Sequence, residues 1–310
     1  MVCYPLLFTQ ADKETNTKID TPFAAEGREI AGLLKRKADD EEIDAVIQRI
    51  QSQAIDREID ALVASTDVFV TCVLHVGSKS LSHVLAAIER TKDRLADAGA
   101  ASDAARAQII SATVAYWSAH PGVALSIIEK LLNYSILTPE TVITWALVSR
   151  AGNSRGEALS VAHVYEMVFN TVIKVTGRVR QLVAKPALAA DDEDEIKAMR
   201  ALFALIEDAL ASWATGSKDE MIESAEGEGN SEAEKLVRDW GARWLRVFRR
   251  RAAIEEAFLV EAEKERARRA LAAEKEQQQQ QQQGNGEAEA EAEAEGLTQP
   301  QPMDAEGEGA

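Results

Sequence analysis

Apolar residues recur at helical spacing through most of the chain, in short runs separated by caps and breaks with little loop between them. The pattern is densest from residue 67 to 147. Phe69, Cys72, Val73 and Val76 fall at i, i+3, i+4, i+7 after Asp67, whose carboxylate can accept from the free N–H groups of a first turn. Leu81, Leu85 and Ile88 follow behind Ser80, and Ile110, Val114 and Trp117 behind Ser102. His120-Pro121 breaks the chain, because proline disfavours helix in the residue before it and fits the first position of a new one. That new helix carries Ala124, Ile128, Leu131 and Leu132 on one side. Thr138-Pro139-Glu140 then gives cap, first-position proline and first-turn acid, ahead of Val142, Trp145 and Ala146. Upstream, Thr21-Pro22-Phe23 opens a helix with Phe23, Gly27, Ile30 and Leu34 on one face. Asp40 precedes another in which Ile43, Ile47 and Ile50 recur, and Ile55, Ile59 and Leu62 repeat the spacing. Each helix can bury only one side, so its neighbours must complete the core.

Beyond a turn at Gly152-Asn153-Ser154 the period becomes stricter. Tyr165, Val168, Val172, Val175, Val179 and Leu182 alternate steps of three and four. After a break near Pro186, Ile196, Met199, Phe203, Ile206, Leu210 and Trp213 do so again. Two such stripes joined by a short acidic turn predict an antiparallel, coiled-coil-like hairpin. Asp191, Asp192, Glu193 and Asp194 sit where the second helix begins and meet the positive end of its dipole. A solvated face is the ordinary reading of such a run, and a metal or basic-partner site is the alternative. The fold class is therefore all-α, stacked antiparallel helical hairpins in a HEAT-like or armadillo-type superhelix. The expected organisation is an irregular segment 1–20, a helical domain 21–214 including the heptad hairpin 157–214, and a flexible linker 215–230. A long helix 231–276 then packs on the domain, followed by a disordered Gln-rich and Glu-Ala-rich tail 277–310.

Composition supports this and narrows the class. The chain has 310 residues, 46% of them hydrophobic and only 5% aromatic, enough for a core and weighted toward helix formers. Only Cys3 and Cys72 are present, one of them on an apolar stripe, so no disulfide and a reducing compartment are expected. The N-terminus lacks the positive segment of a signal peptide, and no apolar run approaches the roughly 18 residues of a membrane span. A soluble, non-exported protein is expected, with no membrane partner. The net charge of −17 is unevenly spread, because residues 287–310 hold eight acids and no base. That tail buries too little apolar surface to fold, and the rest of the chain is only mildly acidic.

Catalytic patterns are missing. His75, His83, His120 and His163 are scattered, with no HExxH and no cysteine companions, and read as capping or core histidines. Gly77-Ser78-Lys79-Ser80 has part of the look of a phosphate loop but not its glycine spacing, and reads as a helix connector. Neither a GxSxG nor a GxGxxG motif follows a strand. No enzyme, no cofactor, no metal and no small-molecule substrate are expected. The remaining candidate chemistry lies on the last helix, where Trp240, Trp244 and Phe248 stack at i, i+4, i+8 with Leu236, Val247, Ile254 and Phe258 nearby. Arg243, Arg246, Arg249, Arg250 and Arg251 interleave with them, an arrangement that can grip a phosphate backbone while bases stack. The competing reading is a core stripe whose arginines pair at i, i+4 with Glu255, Glu256, Glu261, Glu263 and Glu265.

The run Val68-Phe69-Val70 to Leu74-His75, then Lys79-Ser80-Leu81-Ser82-His83, then Trp117 with His120-Pro121, then Val142 with Trp145, resembles the C-terminal helical domain of the large subunit of the nuclear cap-binding complex. The resemblance covers about residues 20–270. That family is built of three HEAT-like domains related to the middle domain of translation initiation factor 4 gamma, and this chain corresponds to the last. The resemblance implies a scaffold that leaves the 7-methylguanosine cap to a small partner with an RNA-recognition fold and orders that partner's loops. Capped RNA is then met indirectly, in the nucleus with shuttling to the cytoplasm, in splicing, transcript export and nonsense-mediated decay. The chain has no RNP-type segment of its own. The alternative is a helical-repeat adaptor of translation initiation or another complex, with no direct RNA role.

Overall fold

The computed structural model describes residues 22–185, 187–216 and 230–296, and among them there is no strand. The helices are α1 (Ala24–Arg36), α2 (Asp40–Asp56), α3 (Ala61–Gly77), α4 (Leu81–Arg90), α5 (Lys92–Ala101), α6 (Asp103–Tyr116) and α7 (Pro121–Asn133). Next comes α8 (Pro139–Ile143), which runs through a π-helical turn, Thr144–Arg150, into the short α9 (Ala151–Asn153). A 3₁₀ turn, Glu157–Ser160, leads to α10 (Ala162–Val183), α11 (Ala190–Thr215) and α12 (Asn230–Gly296). The segment 1–20 and most of the linker 215–230 lie outside the described residues.

Local chemistry places most boundaries. Ser80 Oγ accepts from His83 N at 3.3 Å, Ser102 Oγ from Ala105 N at 3.0 Å and Thr138 Oγ1 from Thr141 N at 3.1 Å, so three caps read from the sequence open α4, α6 and α8. Two differ. The cap of α2 is Asp39, whose Oδ1 accepts from Glu42 N at 3.1 Å. Helix α3 starts well before Asp67, capped by Asp60 Oδ1, which accepts from Leu62 N and Val63 N at 2.9 and 3.0 Å. Asp67 is instead a buried mid-helix residue taking a 2.6 Å bond from Gln108 Nε2 of α6. An aspartate opening an apolar run has the same local signature whether it caps a helix or is enclosed by one, and only tertiary packing separates the two. The stripe Ile55, Ile59, Leu62 also does not form, because α2 ends at Asp56 and Ile55 is 67% exposed. Between Ile88 and Ser102 the chain adds α5, an Ala-rich helix with a weak apolar period.

Helix α3 is the hub of the first half. Every residue from Ala64 to Leu74 is buried, because α1, α2, α4, α5 and α6 surround it. The Cys72 thiol within it is fully buried and donates to Gly27 O at 3.1 Å, and burial pushes its pKa up. Arg94 of α5 ties back to α2, with Nη2 2.9 Å from Asp40 Oδ1 and a further contact to Asp44.

The second half is a three-helix arrangement. Helices α10 and α11 pair as the two heptad stripes require, and α12 lies along both, most extensively along α11. Trp213 donates from Nε1 to Leu147 O at 3.0 Å, fixing α11 on the π turn. Tyr165 meets Trp244 edge-on at 5.0 Å, and Phe203 meets Phe248 at 5.3 Å. One apolar cluster runs from Phe23 to Phe248, and a smaller one closes the hairpin end around Val179, Val183, Ile196, Met199 and Leu259. Helix α12 runs on through the glutamine tract to Gly296, where composition predicted no structure from residue 277. Glutamine, glutamate and alanine are all good helix formers, which accounts for a helical backbone there. No helix among the described residues is long and apolar enough to cross a membrane.

Candidate partner-binding surfaces

The five arginines of α12 do not form one patch. Arg249 Nε donates to Glu207 Oε1 of α11 at 2.9 Å, and Arg251 lies 2.8 Å from Glu255 and 3.2 Å from Thr176 Oγ1 of α10. Both therefore hold α12 onto the bundle. Arg243, Arg246 and Arg250 are exposed, and their i, i+3, i+7 spacing puts them on one face. Arg243 also lies over the Trp240 ring, 5.3 Å from its centroid.

The acidic residues expected to neutralise these arginines along the helix mostly pair across helices. Glu255 is 2% exposed and accepts both Nε and Nη2 of Arg180, at 2.8 and 3.0 Å, so two arginines from different helices converge on one buried carboxylate. Arg180 also lies 4.9 Å from the Phe258 ring centroid. Glu256 takes a second forked pair from Arg200 at 3.2 and 2.7 Å. Such planar pairings fix the rotation of α12 about its axis as well as its position.

That rotation sends only part of the expected apolar stripe inward. Trp244, Leu245, Phe248 and Leu259 are buried, whereas Leu236 (56%), Val247 (48%), Ile254 (51%) and Phe258 (39%) remain exposed. The last four and Trp240 line one edge of the helix, next to Arg243, Arg246 and Arg250. A second apolar surface is a groove of about 610 Å³ between the start of α8 and the α10–α11 hairpin, lined by Leu132, Pro139, Val175, Val179, Met199 and Leu202. The Arg178–Glu195 fork, 3.1 and 3.2 Å, closes one side of it.

The other sequence candidates have structural partners. Asp191, Asp192 and Glu193 occupy the first turn of α11. The Lys185 ammonium at 2.8 Å and the Ala189 N–H at 3.1 Å hold Asp192 below the usual carboxylate range. Gly77-Ser78-Lys79-Ser80 is the α3–α4 connector, with Ser78 Oγ bonded to His75 O at 2.8 Å. His83 Nδ1 is 2.7 Å from Ser80 Oγ, and His120 stands at the start of α7. His75, 3.4 Å from Tyr116 OH, is shifted below the usual imidazole range by burial and by Lys35. Among the described residues no group of His, Cys, Asp and Glu could hold a metal. One polar feature escaped the sequence reading: a hollow beside the π turn lined by Ser111, Ser118, Trp145, Ser149, Arg150, Asn153 and His163. These residues come from four elements, and nothing in their spacing foretells a π turn.

A continuous helical array with ion-locked helices, exposed apolar edges and no assembled catalytic group among the described residues defines a helical scaffold. Residues 16–257 match the family described as MIF4G like, and the chain belongs to that family. Nuclear cap-binding protein subunit 1 of Schizosaccharomyces pombe is 24% identical over 163 residues, covering 53% of this chain and 20% of the relative. Subunit 1-A of Xenopus laevis is 23% identical over 153 residues, 48% of this chain and 19% of the relative. The resemblance read from the sequence is thus borne out, and the chain spans about a fifth of the relatives it matches.

Proposed function

We propose that the chain serves as a scaffold of a nuclear RNA cap-binding complex, presenting a rigid helical surface to a small RNA-recognition-domain subunit that holds the 7-methylguanosine cap. The observation that carries this is the match to nuclear cap-binding protein subunit 1 within a family match over residues 16–257. The mechanism is entropic. A pre-formed helical surface orders the loops of its partner before the cap arrives, so less of the cap's binding free energy is lost to ordering. The surface assigned to the partner is the outer edge of α12, with Leu236, Val247, Ile254 and Phe258 as apolar contacts and Arg243, Arg246 and Arg250 as the adjoining basic edge. Capped transcripts are then met through the partner, in the nucleus with passage to the cytoplasm, in splicing, export and nonsense-mediated decay.

The test is co-expression with the small cap-binding subunit and passage over 7-methylguanosine resin. The chain is retained only with its partner, and Ile254→Asp, placed on the exposed edge, releases it while leaving the helical signal intact. Retention without the partner, or failure to form the complex, refutes the reading. Recovery of a translation helicase in place of the small subunit favours the initiation-adaptor alternative.

A further inference from the structure

The hollow beside the π turn has the features of an anion site. It measures about 460 Å³ and opens between α6, α7, the π turn and the first turn of α10. The π turn spans Thr144–Arg150, and it carries Ser149 and Arg150 to the rim. Among the described residues Arg150 has no carboxylate partner, unlike Arg180, Arg200 and Arg249. The His163 Nε2 atom is buried and lacks a hydrogen-bond partner. A polar atom enclosed in that way is costly unless something occupies the hollow.

Two helices begin at this hollow. Pro121 is the first residue of α7 and His163 the second of α10, and neither helix has a side-chain cap. Pro121 has no N–H, and Val123 N bonds to His120 O and Val164 N and Tyr165 N to Val161 O, so the first-turn N–H groups left over are those of Gly122, Ala162 and His163; with the positive dipole ends they favour an anion there. The carboxyl end of α9 also comes close, through Asn153, and opposes this with a negative dipole end. Arg150, the last residue of the π turn and the one just before α9, supplies the full charge that reverses the balance. The buried Trp145 indole supplies an apolar part of the lining and is fixed by its 2.8 Å bond to Ser111 Oγ.

We propose that this hollow binds a phosphate monoester, its phosphoryl oxygens taken by Arg150, the His163 ring and the remaining N–H groups at the start of α10, and its organic part lying against Trp145. Without ligand, burial and the Arg150 charge shift His163 below the usual imidazole range, and Glu166 of its own helix pulls the other way. The walls from α6 and α7 carry no charged group. A bound dianion reverses the local field, so His163 gains imidazolium character. The site is independent of the scaffold reading, because it involves neither the α12 edge nor the small subunit.

The test is titration of the full chain with inorganic phosphate, a nucleoside 5′-monophosphate and phosphoserine, followed by calorimetry and by the His163 ring signals in NMR. At least one binds with Kd below about 1 mM and moves the His163 signals toward the imidazolium pattern at neutral pH. The tightest of the three identifies the source of the phosphate. Arg150→Gln weakens binding about tenfold or more, the scale of one charged hydrogen bond. If that variant fails to fold, His163→Gln provides the same comparison. The proposal is overturned if none of the three binds below about 1 mM, or if a folded variant binds as the parent does.

Discussion

Gly77 closes α3 where α4 crosses it, and a β-carbon added there would lie 2.4 Å from Val84 Cα and 2.9 Å from Val84 N. Ordinary carbon contacts are about 3.5–4.0 Å, so one backbone must retreat by more than an ångström. Val84 cannot do so freely, because it is fully buried and shares its face of α4 with Ala87 and Ile88. Overpacking of this kind costs roughly 1–3 kcal/mol, and backbone against backbone belongs at the upper end. Against it stands the helix preference of alanine over glycine, about 1 kcal/mol. Gly77→Ala should therefore destabilise the protein by about 2 kcal/mol, lowering Tm by roughly 4–8 °C. Gly32 supplies the control: it is exposed within α1 and an added β-carbon meets nothing within 4 Å. Gly32→Ala should raise stability by about 0.5–1 kcal/mol. Urea titration followed at 222 nm measures both, and Gly77→Ala at or above parental stability would refute the α3–α4 contact.

Ser102→Ala removes the cap at Ala105 N and should cost about 1 kcal/mol in the same titration. Glu255→Gln weakens the attraction for Arg180 and Arg251. Both arginines are partly exposed, so the loss should be about 1–2 kcal/mol, with a reduced salt dependence of Tm; an unchanged Tm would show that α12 is held by apolar contacts alone. Asp67→Ala removes the buried acceptor of the 2.6 Å Gln108 Nε2 bond and should cost about 1–3 kcal/mol by thermal melting. Asp192 has a folded-state pKa below its unfolded value, so its stabilisation is present above about pH 4 and is lost as pH falls through the folded value. Asp192→Asn should accordingly flatten the acid side of the Tm–pH profile, and an unaltered profile would exclude the Lys185 and Ala189 contacts as its source.

What was legible in the sequence was the part decided locally. Ser80, Ser102, Pro121 and Thr138 mark helix starts because cap and proline chemistry acts within one turn. The two heptad stripes were legible because a seam needs many turns of one period. Asp67 was misread because its bond to Gln108 spans 41 positions, and the outward edge of α12 because its rotation is set by Arg180 and Arg200 on other helices. The arginine cluster was legible as a composition but not as a surface, since two of its members face partners inside the bundle. The π-turn hollow needed four elements at once and left no trace in spacing.

The enclosure of α3 turns its single sulfur atom into a gauge of cooperativity. Cys72 lies at the centre of a helix covered on every side, within an apolar cluster continuous from Phe23 to Phe248. An alkylating reagent can reach it only through an opening that separates several helices together. Its modification rate in the native protein should thus track the global unfolding free energy, whereas a solenoid fraying repeat by repeat would surrender the thiol much sooner.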